Sequence, residues 1–218
     1  MFKRLAQMLR SERELAPEIR LQLVDGLFYP FASLVAGALV GIFIAITVTV
    51  LAENLLLEIL ADTVVAVALV RVAIGLRYVS RGKPADASNV RLWELAYAIP
   101  AGLYSLLLGS LVLVAVNTTD DAPLHLMLTA LSTGFASSIT GRNAGRPKVA
   151  LAQLYLAAAP MCLGLALHPT LFYQMIGAAL FVFMFGMTDI TVSVRNTIVG
   201  ALETKRKNVE LAASSKEQ

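Results

Sequence analysis

The stretch Thr140-Gly-Arg-Asn-Ala-Gly-Arg-Pro-Lys148 is short and basic, and a long apolar run lies on either side of it. Its two glycines and its proline are typical of a turn. Three cations stand among them: Arg142, Arg146 and Lys148. Cations in a short turn between membrane-length apolar segments are typical of a cytoplasmic loop in a protein that crosses the membrane several times.

The composition supports this interpretation. The 218 residues are 57% hydrophobic and 15% charged, whereas a soluble domain has about 25% charged residues. The single cysteine, Cys162, excludes an internal disulfide and a cysteine-based metal cluster. We therefore expect the lipid bilayer as the main partner, and no nucleic acid, cofactor or metal.

Six apolar windows reach or approach the roughly 20 residues that a membrane-spanning helix needs. They are Leu27–Ala52, a segment within Asn54–Val79, Trp93–Val116, Leu124–Ile139, Val149–Leu167 and Leu171–Ile190. The fourth is short and the second carries charges. The sequence thus predicts an all-α, polytopic transmembrane helical bundle of six spans over residues 27–190. Residues 1–26 form a cytoplasmic leader, either an interfacial amphipathic helix or a solvated tail, and residues 191–218 form a cytoplasmic signalling helix or tail.

The distribution of cations predicts the orientation. With six spans, both termini and the second and fourth loops share one side of the membrane. That side holds all 18 Lys and Arg residues: five in the leader, five between Arg71 and Arg91, three in the central turn and five from Arg195 onward. Because cations concentrate on the cytoplasmic side, we expect both termini in the cytoplasm, and the protein in the cytoplasmic (inner) membrane of a bacterium.

Ionisable residues inside a membrane segment are functional candidates, because burying a charge in lipid is costly. Glu58 and Asp62 share a helix face, and with Arg71 they could line a polar path of a transporter or channel. Alternatively, the second span begins near Glu58, both acids lie at the outer interface, and Arg71 extends towards the inner one. His125 and His168 lie at outer helix ends, where an interfacial role is more common than metal binding.

A second polar cluster follows the last apolar run. Asp189 should lie at the same depth as Arg142 and Arg146, and an ion pair with either arginine would couple the central turn to the exit helix. Asn143 and Arg195 complete this predicted coupling site. Further along, Ile198, Leu202, Val209 and Ala212 keep a loose spacing of four and three residues, which predicts weak pairing of this helix in a homodimer.

Several motifs together resemble one family. They are Asn143-Ala-Gly-Arg-Pro after Ser138-Ile-Thr-Gly-Arg, Leu23-Val-Asp-Gly-Leu-Phe28, Thr119-Asp-Asp before Leu124-His, and Gly186-Met-Thr-Asp-Ile-Thr with Arg195. This combination resembles the six-helix N-terminal membrane sensor region of bacterial GGDEF and GGDEF/EAL signalling proteins. The resemblance implies a helical connection to a cytoplasmic diguanylate cyclase. The chain itself contains neither the Gly-Gly-Asp/Glu-Glu-Phe nor the Glu-Ala-Leu signature, so we expect it not to be an enzyme.

The expected function is therefore a membrane sensory or signalling module that relays a stimulus to a cytoplasmic output domain or partner, in cyclic-di-GMP signalling if the resemblance holds. The alternatives are a small transporter or channel that uses Glu58, Asp62 and Arg71, and a non-catalytic scaffold whose basic tails bind anionic lipid.

Overall fold

The structure is a computed structural model that describes residues 17–81 and 87–214. The predictions for residues 1–16, 82–86 and 215–218 lie outside these described residues. Within them there are seven helices and no strand: α1 Pro17–Phe28, α2 Phe31–Leu51, α3 Leu55–Arg81, α4 Ala87–Thr118, α5 Ala122–Asn143, α6 Pro147–Leu167 and α7 Leu171–Ser214. The predicted all-α class is confirmed.

Five of these helices are long and apolar enough to cross a membrane: α2, α3, α4, α6 and α7. This indicates an integral membrane protein with several spans. The 22-residue α5 corresponds to the predicted fourth span but is not among the five. Its polar side chains explain the difference, since serines and threonines recur along its length.

Short polar segments end one helix and begin the next. Asn54 precedes α3, and its Oδ1 accepts hydrogen bonds from the backbone N–H groups of Leu56 (3.0 Å) and Leu57 (3.2 Å). Asp121 caps α5 in the same way, accepting from the N–H of Leu124 at 3.0 Å. These side chains satisfy N–H groups that have no partner within the helix. The connections that lead into α3 and α5 are therefore tight turns.

Helices α4 and α6 run parallel and approach each other closely. A Cβ atom on Gly109 of α4 would lie 2.2 Å from the carbonyl oxygen of Ala157 in α6, so only glycine fits there. At the C-terminal ends of both helices, the Asn117 Nδ2 donates to the Gly164 carbonyl at 3.1 Å. Because α5 connects the end of α4 to the start of α6, it runs back along the same length.

Helix α1 packs against the bundle at the end where α4 and α6 begin. Val24, Leu27 and Phe28 are buried, and the Phe28 ring stacks on Tyr78 of α3 with 3.9 Å between centroids. Residues 17–26 of the predicted leader are therefore not a solvated tail. Helix α1 continues through the predicted boundary at residues 26 and 27, and the first long apolar helix begins at Phe31.

Helix α7 is a single helix of 44 residues. It passes without a break through residues 190 and 191, where the membrane domain was predicted to give way to a cytoplasmic signalling helix or tail. Its first part packs on α5 and α6. From Glu203 to Val209 every side chain is exposed, so the end of α7 projects beyond the bundle.

Candidate functional site

The central turn lies between α5 and α6, where Arg146 immediately precedes α6. The Arg146 side chain is buried and pairs with Glu94 of α4. Its Nε donates to Glu94 Oε1 at 2.7 Å, and its Nη2 donates to the same oxygen. The guanidinium therefore fastens the turn to the beginning of α4 by a charge-assisted pair.

The neighbouring turn residues reach α4 and α1. Asn143 is buried, and its Oδ1 accepts a hydrogen bond from the Tyr97 hydroxyl of α4 at 3.1 Å. The Arg142 guanidinium lies over the Tyr97 ring, with 5.7 Å from Cζ to the centroid. Its Nη2 donates to the Leu27 carbonyl at 3.3 Å, at the end of α1. The turn thus joins α1 to the bundle.

The predicted ion pair between Asp189 and an arginine of the turn is not present. Asp189 is exposed on the outer face of α7, and Arg146 pairs with Glu94. Arg195 is buried, and its Nη1 donates to Asn196 Oδ1 at 3.2 Å. The prediction failed because about two residues, half a turn, separate opposite faces of a helix, and the apolar pattern of α7 does not reveal which face the bundle covers.

Hydroxyl groups join α7 to the bundle at this level. The Thr191 hydroxyl lies 3.4 Å from that of Thr140, near the end of α5. The Thr188 and Tyr155 hydroxyls are 2.9 Å apart and join α7 to α6. Such neutral hydrogen bonds are modest in strength, and the apolar packing of Met184 and Val192 of α7 on α5 and α6 adds to them.

Arg71 lies inside the bundle. It is 4% exposed, and its Cζ lies 4.4 Å from the centroid of the Tyr104 ring and 5.9 Å from that of Phe135. Among the described residues no carboxylate lies within 4.0 Å of its guanidinium nitrogens. The stacking partially compensates the buried cation.

The other two residues of the predicted path lie elsewhere. Glu58 is half-buried in the first turn of α3, and Asp62 is exposed. Arg71 is nine residues beyond Asp62, about 14 Å along the helix axis. The structure therefore does not bring Glu58, Asp62 and Arg71 together.

The two histidines lie at the opposite end of the bundle, where His125 belongs to a hydrogen-bonded cluster. The ring nitrogens of His125 lie 2.9 Å from the Thr119 and Tyr173 hydroxyls. Because the Thr119 hydroxyl already donates to a backbone carbonyl, it accepts from Nε2–H, and Nδ1 accepts from Tyr173. Both nitrogens of His125 are engaged in this way. His168 packs on the Tyr173 ring, and the described residues contain no group of three or more metal-ligating side chains.

Three important residues were missed from the sequence: Glu94, Tyr97 and Tyr104. All three lie on one face of α4, at spacings of three and seven residues. An acid followed at helical spacing by two tyrosines at the start of an apolar run is a visible signal. It nevertheless does not say which arginine of another helix each side chain meets.

Comparison of the chain with protein-family models, with curated proteins and with solved structures gives no match.

Proposed function

We propose that this protein is a membrane sensory or signalling module that relays a stimulus through α7 to a cytoplasmic output domain or partner protein. The observation that carries the proposal is the continuity of α7. At 44 residues it is about 66 Å long, roughly twice the 30 Å thickness of a bilayer's hydrocarbon core. A rotation or shift of its packed half moves its exposed half as one body.

Six spans with both termini in the cytoplasm form part of this proposal. Besides the five long apolar helices, the parallel course of α4 and α6 supports α5 as a span, the fourth in chain order, because α5 returns between their ends. Two polar residues of α5, Ser132 and Thr140, are buried inside the bundle and so would not face lipid. The cations support the orientation, since all of them fall on one side when six spans are counted.

The output is a further part of the proposal. The resemblance to the sensor region of GGDEF proteins makes cyclic-di-GMP signalling in a bacterial inner membrane the first pathway to test, with catalysis residing outside the residues of this chain. A homodimer through α7 would bring two output units together. The exposed residues Val209 and Leu211 support this contact, whereas Ile198 and Leu202 pack beside α1.

The experiment joins residues 1–209 to a diguanylate cyclase domain and inserts one to four alanines after Leu202. Each inserted residue rotates the output domain by about 100°, and four residues restore the phase to within about 40°. If α7 is a rigid relay, cyclase activity should change with one or two insertions and return with four. Activity that is indifferent to every insertion would overturn the relay.

The topology is tested separately. Cys162 is replaced by serine, and single cysteines are introduced at Asp120 and Lys207. With six spans, a membrane-impermeant thiol reagent added to intact cells should label position 120 only. Labelling of both positions or of position 207 alone would refute the proposed orientation.

A further inference from the structure

A cavity of about 200 Å³ lies where three parts of the molecule meet, and the proposed function does not use it. Leu23 and Leu27 of α1 form one wall, and Ile198 and Leu202 of α7 form another. Arg142 and Arg146 of the central turn also line the cavity. Taking about 30 Å³ per water molecule, the volume would hold six or seven waters or one small ligand.

The charge around this cavity is unbalanced. Glu94 neutralises Arg146, but the hydrogen bond of Arg142 goes to a neutral backbone carbonyl. Arg142 Nε and Arg146 Nη1 have no hydrogen-bond partner, but protein atoms enclose both nitrogens, so neither faces the cavity. A guanidinium is suited to binding an oxyanion through two of its N–H groups, and an anion would approach Arg142 through its other nitrogens.

The start of α6 adds to the positive potential. The 21-residue helix begins at Pro147, has no acid in its first turn, and receives no side-chain hydrogen bond from its N-cap residue, Arg146. A helix N-terminus carries a partial positive charge. Its first N–H groups are not available as donors, since Pro147 has none and those of Val149 and Ala150 donate to the Arg146 carbonyl. An anion in the cavity would therefore be attracted only by the long-range potential of this helix end.

We propose that this cavity binds a phosphate group, either as a free anion or as the headgroup of an anionic lipid. Arg142 supplies the uncompensated charge, and the leucine and isoleucine walls lower the local polarity, which strengthens the interaction. The bound group would contact α1, the central turn and α7 together. Its effect on α7 rests on the proposed signalling function, but binding itself does not require any output.

The test uses the full chain in nanodiscs and measures thermal unfolding. Discs of phosphatidylcholine receive inorganic phosphate at constant ionic strength, and a second set contains phosphatidylglycerol without added phosphate. The variants are Arg142→Gln, Gly26→Leu and Arg77→Gln. Gly26 also lines the cavity, and a Cβ placed on it meets no atom within 4 Å. Leucine there should fill the cavity while improving helix propensity. Arg77 is exposed on α3 and is the matched control.

A phosphate-dependent rise in melting temperature that persists in Arg77→Gln would identify a free anion. We expect Arg142→Gln to weaken phosphate binding about 10- to 100-fold, as loss of a charged hydrogen-bond donor does, and Gly26→Leu to abolish it. The same variant pattern in the phosphatidylglycerol discs alone would identify a lipid headgroup. The proposal is wrong if neither set of discs shows a shift in melting temperature, or if Arg77→Gln weakens phosphate binding as much as Arg142→Gln does. If Arg142→Gln does not fold, the Gly26→Leu variant tests the site instead. A melting temperature that still rises as in the wild type in this variant refutes the site.

Discussion

Replacing Glu94 with leucine should destabilise the protein by about 3 kcal/mol. The Arg146 side chain is 9% exposed and that of Glu94 is 18% exposed, so the change leaves a buried guanidinium without its acceptor. Breaking a buried pair by removing one partner costs about 3–5 kcal/mol. We take the lower end, because Glu94 keeps some contact with solvent.

A double-mutant cycle tests the reasoning. In the variant carrying both Glu94→Leu and Arg146→Met, no unpaired charge remains, and the free energy of unfolding should return to within about 1 kcal/mol of the wild type. Unfolding is followed in mixed detergent micelles by circular dichroism. Asp189→Asn is the control, since a change at an exposed position costs no more than about 0.5 kcal/mol. A loss below 1 kcal/mol for Glu94→Leu, or a double variant as unstable as the two single losses combined, would show that the pair is not what holds the turn.

Three other substitutions test the packing and the buried cation. Gly109→Ala should lower the free energy of unfolding by about 1–3 kcal/mol, because its Cβ overlaps a carbonyl of α6. Gly134 has open space around it, so Gly134→Ala should raise the free energy of unfolding by up to about 1 kcal/mol. Equal values for the two variants would contradict the close approach of α4 and α6. Tyr104→Phe should lower the free energy of unfolding by about 0.5–1.5 kcal/mol, because its hydrogen bond to α2 is lost. Tyr104→Leu should lower it by about 2 kcal/mol more, since the stacking on Arg71 is also lost. Both variants are measured by the same unfolding assay. Arg71→Met should leave the free energy of unfolding unchanged or raise it by about 1–4 kcal/mol, because an apolar side chain replaces a buried cation. A destabilised variant would mean that the cation is structural.

The coarse fold follows from apolar patterning. Runs of about 20 apolar residues without breakers must satisfy their backbone groups internally in lipid, and helices do this. The predicted windows Val149–Leu167 and Leu171–Ile190 therefore agree with the starts of α6 and α7 to within about two residues, the usual uncertainty of helix ends. Residues 17–26 were harder to predict, because a short amphipathic segment has the same pattern whether it binds lipid, solvent or protein.

In the candidate site, too, some features follow from the sequence pattern and others only from tertiary packing. The sequence by itself determined that Arg142, Asn143 and Arg146 form a basic turn between two long apolar helices. Only the tertiary structure decided that Arg146 meets Glu94 and that Asp189 faces outward. The physical reason is that apolar periodicity depends on each segment's own residues, whereas an ion pair depends on how two helices are rotated about their axes. That rotation is set by packing contacts such as Gly109 against α6, which involve residues far apart in the chain.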